Sequence, residues 1–174
     1  MTTTIKQVEG APASYPAISG FTGAELARVW QRIEAYIAHR WTSRTIEWTV
    51  EGCGHWHPPI APATITTVEV WSSADAWEAI DLSPSPYGGY WLPCTGPYRF
   101  AGTVGGGTVP AAVEEAFRRL AAYMSARVGK AGATSENITA GSVTVGHRRD
   151  AAWLADAMRN SGAGDLLRTY RRAG

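Results

Sequence analysis

Residues 108–128, TVPAAVEEAFRRLAAYMSARV, form the stretch around which the rest of the chain is expected to pack. Pro110 stands where a helix begins, because its missing N–H costs nothing in the first turn and its φ angle is already helical. Apolar side chains then recur at the three- and four-residue spacing of one helix face. These are Val113, Phe117, Leu120, Met124 and Val128. The pattern predicts an amphipathic core helix over residues 109–128, with Gly129 placed to end it.

The opposite face of this helix carries paired charges. Glu114 and Glu115 precede Arg118 and Arg119 by one turn, which is the favourable order for i,i+4 ion pairs. Acidic residues also lie toward the positive end of the helix dipole. The helix is therefore expected to have an apolar face toward a core and a charged face away from it.

The composition describes an ordinary folded domain. The 174 residues include 45% hydrophobic and 18% charged residues, with a net charge of +1. A near-neutral chain is a poor candidate for sequence-independent nucleic-acid binding, which needs many phosphate-neutralising side chains. No apolar run approaches the length of a membrane helix, so no membrane partner is expected. Cys53 and Cys94 can pair, but the N-terminus lacks the pattern of a secretion signal, and free thiols are expected.

The remaining segments predict an α+β fold that is mainly α. Residues 1–20 mix Pro, Gly, Thr and Ala and are expected to be an extended N-terminal arm, either disordered or laid along a neighbouring subunit. Further helices are expected near residues 22–42, 150–160 and 165–172, the first capped by Thr22 with Glu25. An antiparallel β region, residues 45–107, is inserted in this small helical bundle, and the polar stretch after residue 129 predicts a short strand at residues 142–145.

The region around Cys53 offers a weak metal site. Cys53, His55 and His57 alternate, Cys94 supplies a fourth donor, and zinc accepts that set of ligands. The spacing matches no structural zinc signature, and a hairpin turn with two polar histidines explains the pattern more simply. We therefore expect neither a metal nor another cofactor.

Aromatic side chains are dense in the same region. They are Trp71, Trp77, Tyr87, Tyr90, Trp91 and Tyr98. They suit a sugar-stacking surface, although in so small a β region such residues more often form the core. No Gly-x-Ser-x-Gly elbow and no His-Glu-x-x-His run occurs, so an enzyme is not expected.

The end of the chain is amphipathic and basic. It contains Leu166, Leu167, Arg168, Tyr170, Arg171 and Arg172. A segment this short is marginal as an isolated helix in water and needs a partner to be ordered. It is interpreted either as a frayed end or as a segment that docks on another protein, with Tyr and Arg as anchors.

Five stretches in this order resemble a known family. They are YIAHRWTSRTIEW (36–48), HPPIAPATITTVEVW (57–71), YRF (98–100), VPAAVEEAFRRLAAYMSARVG (109–129) and LLRTYRR (166–172). The chain thereby resembles, over residues 21–172, the head–tail connector (adaptor) proteins of long-tailed bacteriophages and gene transfer agents. Many relatives begin with one or two additional helices, whereas here the arm 1–20 takes that place.

The resemblance implies a structural protein of the virion neck, made in the host cytoplasm and built into a phage or phage-like particle. Family members are helical bundles with a β extension that form a homo-oligomeric ring, usually a dodecamer, beneath the portal protein. The ring continues the DNA channel without sequence-specific binding, and its other face receives a stopper or tail-side neck protein.

Carried over to this chain, the resemblance implies a single connector domain, residues 21–164, followed by a portal-docking tail, residues 165–174. The docking residues would be the six basic and apolar residues of the amphipathic end. The charges of Glu114, Glu115, Arg118 and Arg119 would pair across a subunit boundary or line the channel. Two alternatives stay open: a small metal- or carbohydrate-binding domain, and another neck component such as a stopper or tail-completion protein, against which the predicted helices weigh.

Overall fold

In the part of the chain that the structure describes, strands contain more residues than helices. The computed structural model describes residues 2–126, 135–140, 143–148 and 153–171. The strands in this part of the chain are β1 Thr3–Glu9, β2 Arg44–Glu51, β3 Gly54–Trp56, β4 Ala63–Trp71, β5 Trp77–Ala79, β6 Tyr90–Leu92, β7 Tyr98–Val104, β8 Ser135–Ala140 and β9 Val143–Arg148. The helices are α1 Gly23–Tyr36, α2 Ala111–Ser125, α3 Ala157–Asn160 and α4 Ala163–Leu166, followed by a 3-10 turn at Arg168–Tyr170. The prediction of a mainly α fold is wrong.

The main sheet has five antiparallel strands in the order β1-β2-β7-β4-β5. The arm 1–20 therefore begins as a strand of this sheet, because β1 pairs along β2 from Thr3 opposite Glu51 to Glu9 opposite Ile46. Its sequence shows little alternation, and its pairing with β2 depends on a strand about 40 residues away, so local patterns did not reveal it. A β-bulge between Thr4 and Lys6 interrupts the register.

One face of this sheet is buried. The alternation predicted for β2 is confirmed, since Ile46, Trp48 and Val50 are buried while Thr45 and Glu51 are exposed. Trp48 pairs with Phe100 of β7, so the large inward side chains of neighbouring strands meet. The resulting core contains Ile46, Trp48, Val50, Trp56, Ile60, Leu92, Tyr98, Phe100 and Val104.

The two cysteines lie beside one end of the two-stranded β3–β6 ribbon. Gly54 pairs with Leu92, which brings the preceding Cys53 beside Cys94, two residues beyond Leu92. Their Cα atoms lie 4.7 Å apart and the side chains form a disulfide. The prediction of free thiols is wrong. It was based on the cellular compartment expected from the N-terminal sequence, whereas the pairing of the cysteines depends on the register of two strands that are distant in sequence.

Helices α1 and α2 form a second core with the C-terminal elements. Val29, Trp30 and Ile33 of α1 and Phe117 and Leu120 of α2 are fully or almost fully buried in it. Helix α1 ends at Tyr36, six residues short of the predicted 42, because Ile37 is extended at φ −116° and ψ 161°. The apolar pattern in the sequence extends to Trp41 because the loop after α1 places Ile37 and Trp41 in the same core. The Thr22 side chain makes no capping hydrogen bond.

The other predicted helices are shorter than expected. Helix α2 spans Ala111–Ser125, with Pro110 as its N-cap, and residues 127–129 at its predicted end lie outside the described residues. The helix expected at residues 150–160 is limited to Ala157–Asn160 in the described part, after turns at residues 153–156. The stretch expected to be mostly a polar loop contains the paired strands β8 and β9, and the strand predicted at residues 142–145 overlaps β9.

None of the helices in the described residues is both long enough and apolar enough to cross a membrane.

Candidate functional site

The C-terminal segment, residues 163–171, lies against the two long helices. Leu167 is completely buried in the helical core, and Leu166 and Tyr170 pack on that core while partly exposed. Helix α4 approaches the end of α1 so closely that a Cβ atom added at Gly164 would lie 3.0 Å from the Tyr36 hydroxyl oxygen. Part of the predicted docking tail is therefore a structural element of this chain, and Leu167 is not available on the surface as an anchor.

The arginines of this segment point outward. The Arg168 side chain is 82% exposed, and its guanidinium lies 4.0 Å from the Asp165 carboxylate. Arg171 is exposed as well, with its guanidinium 4.7 Å from the centre of the Tyr36 ring and a 3.3 Å hydrogen bond to the Tyr36 hydroxyl. Arg172, the remaining predicted docking residue, lies outside the described residues.

An aromatic cluster holds the end of the segment. The Tyr170 ring meets the rings of His39 and Trp41 edge-on at 5.6 and 5.5 Å between centroids. The Ala38 amide donates a 3.1 Å hydrogen bond to the Tyr170 carbonyl. Burial lowers the pKa of His39, and the neighbouring Arg40 guanidinium lowers that pKa further. The imidazole is therefore neutral at pH 7 and packs as an aromatic ring.

The charged face of α2 is paired within the helix. Arg118 bonds Glu114 at 3.1 Å and Arg119 bonds Glu115 at 2.7 Å, each across one turn as the spacing indicates. All four side chains are between 37% and 50% exposed, so solvent screens both pairs. The prediction that these charges meet a neighbouring subunit or a channel stays a prediction.

The four residues of the weak metal alternative do not form a metal site. Cys53 and Cys94 are bonded to each other and have no thiolate to offer a metal. The rings of His55 and His57 meet edge-on at 4.1 Å, and His55 Nε2 lies 2.8 Å from the Gly88 carbonyl oxygen. Across the described residues, no cluster of three or more His, Cys, Asp or Glu side chains is arranged to hold a metal ion.

The aromatic residues of the β region divide into core and surface. Tyr98 is fully buried, and Tyr90 packs at the edge of the same core. Trp77 and Trp71 meet edge-on at 5.2 Å, and the Arg99 guanidinium lies 4.7 Å from the Trp77 ring. In contrast, Tyr87 is 86% exposed and Trp91 is 66% exposed.

Sequence reasoning missed a buried network of charges where α1, β1 and β2 meet. Arg44 forms two hydrogen bonds to the Glu34 carboxylate and a third, of 3.1 Å, to Glu9. Arg40 bonds both oxygens of Glu9 at 2.6 and 3.1 Å. The third guanidinium nitrogen of Arg40, Nη1, donates to the carbonyl oxygens of Glu34, Ile37 and His39, at the end of α1.

This network connects the helical core to the sheet. Burial alone would lower the pKa of Arg44, but its hydrogen bond to Glu34 and the charges of Glu34 and Glu9 raise the pKa overall. The sequence contained one signal, since Glu34 falls between Trp30 and Ile37 on the apolar stripe of α1. An acid on such a stripe requires a buried partner. The geometry of this network suits a structural joint.

Comparison of the chain with protein-family models, with curated proteins and with solved structures gives no match.

Proposed function

We propose that this chain is a structural subunit of a head–tail connector ring that joins a portal protein to the tail side of a phage or phage-like particle. The observation that carries the proposal is the placement of the C-terminal segment. It is ordered against the helical core by Leu167 and Tyr170, and it presents Arg168 and Arg171 to solvent. A pre-ordered segment with outward arginines binds a partner at a lower entropic cost than a frayed end.

The order of elements also supports the proposal. A β region lies between two helices, α1 and α2, that pack on each other, and a short helical end returns to them. This is the order of parts on which the resemblance rests, although the β part is larger than a helical bundle with a β extension implies. With so much sheet, helix content no longer weighs against a stopper or tail-completion protein, and portal binding is the property that separates these neck components.

Portal binding can be tested at one exposed arginine with a matched control. Arg168 and Arg159 are 82% and 78% exposed, and each lies near an aspartate three residues earlier. Against a portal protein from the same genome as this chain, Arg168→Glu should weaken binding about 30-fold, the scale of an interface arginine. Arg159→Glu should bind as the wild type does.

The result can overturn the proposal in two ways. If the wild-type chain shows no association with portal assemblies, the connector function is wrong. If it binds but both variants match the wild type, the C-terminal segment is not the docking element. Deleting residues 165–174 is the weaker test, because the loss of Leu167 removes part of the helical core.

A carbohydrate-binding surface is the second candidate. The exposure of Tyr87 and Trp91 favours it, because sugar rings stack on exposed aromatic faces, and His55 pairs with Trp91 across the β3–β6 ribbon. Intrinsic tryptophan fluorescence during titration with cell-wall oligosaccharides tests this candidate. A signal abolished by Trp91→Ala would support it, and an unchanged spectrum throughout would exclude it.

A further inference from the structure

The five-stranded sheet has two free edges. Strand β1 forms one and β5 forms the other, and no further strand of the described chain pairs with the outer side of either. A free edge presents unpaired N–H and C=O groups that accept another strand. Because the two edges differ, the first edge of one copy can dock on the second edge of the next copy, which is a head-to-tail contact.

The β1 edge is apolar with one outward cation. Ile5 and Val8 are 59% and 48% exposed, which makes them two of the most exposed large apolar side chains in the described part of the chain. Lys6, between them, is exposed. Glu9, the other charged residue of the strand, has its carboxylate engaged by Arg40 and Arg44. The charge that β1 offers to a partner is therefore positive.

The β5 edge is acidic. Asp75, Glu78 and Asp81 are exposed on and beside β5, and residues 72–98 contain no lysine or arginine. The Arg99 guanidinium lies over the Trp77 ring of β5, but its charge is paired with Glu69 at 2.6 Å. Trp71, which pairs with Trp77 at this edge, is 38% exposed. The edge therefore combines an apolar side chain with negative charge, and it complements β1 in both respects.

We propose that β1 of one copy of this chain adds to the β5 edge of the next copy and continues the sheet across the subunit boundary. Opposite charges on adjacent strands stabilise their pairing, and like charges oppose it. Lys6 disfavours pairing of two β1 strands with each other and favours the acidic β5 edge. The contact is heterologous, so it produces a ring where the rotation closes and a filament where it does not. This inference rests on the proposed connector ring and specifies its subunit contact.

A charge exchange tests the contact. Lys6→Glu and Glu78→Lys each place like charges at the boundary, and each variant alone should associate about tenfold more weakly than the wild type. An equimolar mixture should regain assembly, because the altered β1 of one variant then meets the altered β5 of the other. In the same mixture, the unaltered Lys6 of the Glu78→Lys variant meets the unaltered Glu78 of the Lys6→Glu variant, so that contact also joins opposite charges. Sedimentation velocity over a common concentration range measures association, and thermal unfolding of the separate variants confirms that both are folded.

The outcomes separate this inference from the ring itself. If the wild-type chain assembles and both variants assemble equally well, or if the mixture fails to restore a lost assembly, the edge contact is wrong and the ring proposal stands. A wild-type chain that is monomeric at every concentration overturns both. Hydrogen exchange of the wild type gives a check without substitution, since backbone amides of β1 and β5 should exchange more slowly in the assembled protein. Unchanged exchange at both strands would contradict the contact.

Discussion

The guanidinium of Arg44 and the carboxylate of Glu34 face each other through two hydrogen bonds of 2.8 and 2.7 Å, buried between α1 and β2. Two parallel bonds define the orientation of both groups more closely than one contact between point charges. Because Glu34 lies on α1 and Arg44 begins β2, the pair links the helical part of the fold to the sheet. Glu9 of β1 joins the same pair and ties the N-terminal strand to it.

Removing Arg44 should destabilise the protein strongly. Arg44→Leu leaves the Glu34 carboxylate buried without its main partner, and the free energy of unfolding should fall by about 3–5 kcal/mol. The double variant Glu34→Leu/Arg44→Leu should regain much of that loss, because neither charge then remains unpaired. Urea unfolding measures both effects. Arg118→Ala, which breaks an exposed pair, is the control and should cost about 0.5 kcal/mol or less. Equal losses for Arg44→Leu and Arg118→Ala would contradict a buried pair.

Truncating Leu167 should unfold the helical part more readily. The side chain is fully buried, so Leu167→Ala should lower the free energy of unfolding by about 2–5 kcal/mol through lost contacts and the cavity left behind. Its neighbour Leu166 is partly exposed, and Leu166→Ala should cost less. Chemical denaturation followed by far-UV circular dichroism compares the two variants. A Leu167→Ala protein as stable as the wild type would show that the segment is not part of the core in solution.

Opening the disulfide should weaken the sheet region. The bond between Cys53 and Cys94 closes a loop with a sequence separation of 41 residues. By the loop-entropy relation such a crosslink contributes about 4 kcal/mol, an upper value that strain and residual structure reduce. The variant Cys53→Ser/Cys94→Ser should therefore unfold at lower denaturant concentration than the oxidised wild type. Reductant should move the wild type toward the variant and leave the variant unchanged; a wild type indifferent to reductant would indicate that its thiols are free in solution.

Acidification should loosen the contact between His39 and Tyr170. The unfolded chain protonates His39 near its ordinary pKa of 6.5, whereas burial and Arg40 hold the folded pKa lower. Below pH 6.5 the unfolded state binds more protons, so stability is complete above that pH and falls as the pH drops toward the folded pKa. His39→Gln should remove this part of the pH dependence. Urea unfolding at neutral and mildly acidic pH, compared between wild type and variant, measures it, and identical slopes in both proteins would refute the assignment.

Local patterns predicted the existence of the main elements better than their ends or their partners. The spacing of Val113, Phe117 and Leu120 predicted α2 and its buried face, and the alternation of Ile46, Trp48 and Val50 predicted β2. Both patterns repeat within a few residues and need no information from elsewhere in the chain. The i,i+4 ion pairs of α2 are local in the same sense and form as the spacing indicates.

The environment of the C-terminal residues followed in part from their pattern, and their docking role stays a prediction. The amphipathic pattern separates the polar Arg168 and Arg171, which are exposed, from the apolar leucines. The pattern did not distinguish a leucine that binds a partner protein from Leu167, which is buried in this chain's own core, because both have the same local sequence pattern. Amphipathicity shows that a segment has an apolar side, and the location of the surface that covers that side depends on the rest of the fold.

By itself the sequence determined which faces of α1, α2 and β2 are apolar, because side-chain periodicity is a property of a few consecutive residues. The tertiary structure alone decided that β1 joins the sheet, that Cys53 meets Cys94, that α1 ends at Tyr36 and that Arg44 meets Glu34. In these cases the outcome depends on contacts with residues elsewhere in the chain, the two cysteines being 41 positions apart. Such contacts form only when the apolar faces of both cores are buried together. Local periodicity does not indicate which distant residue will then contact a given side chain.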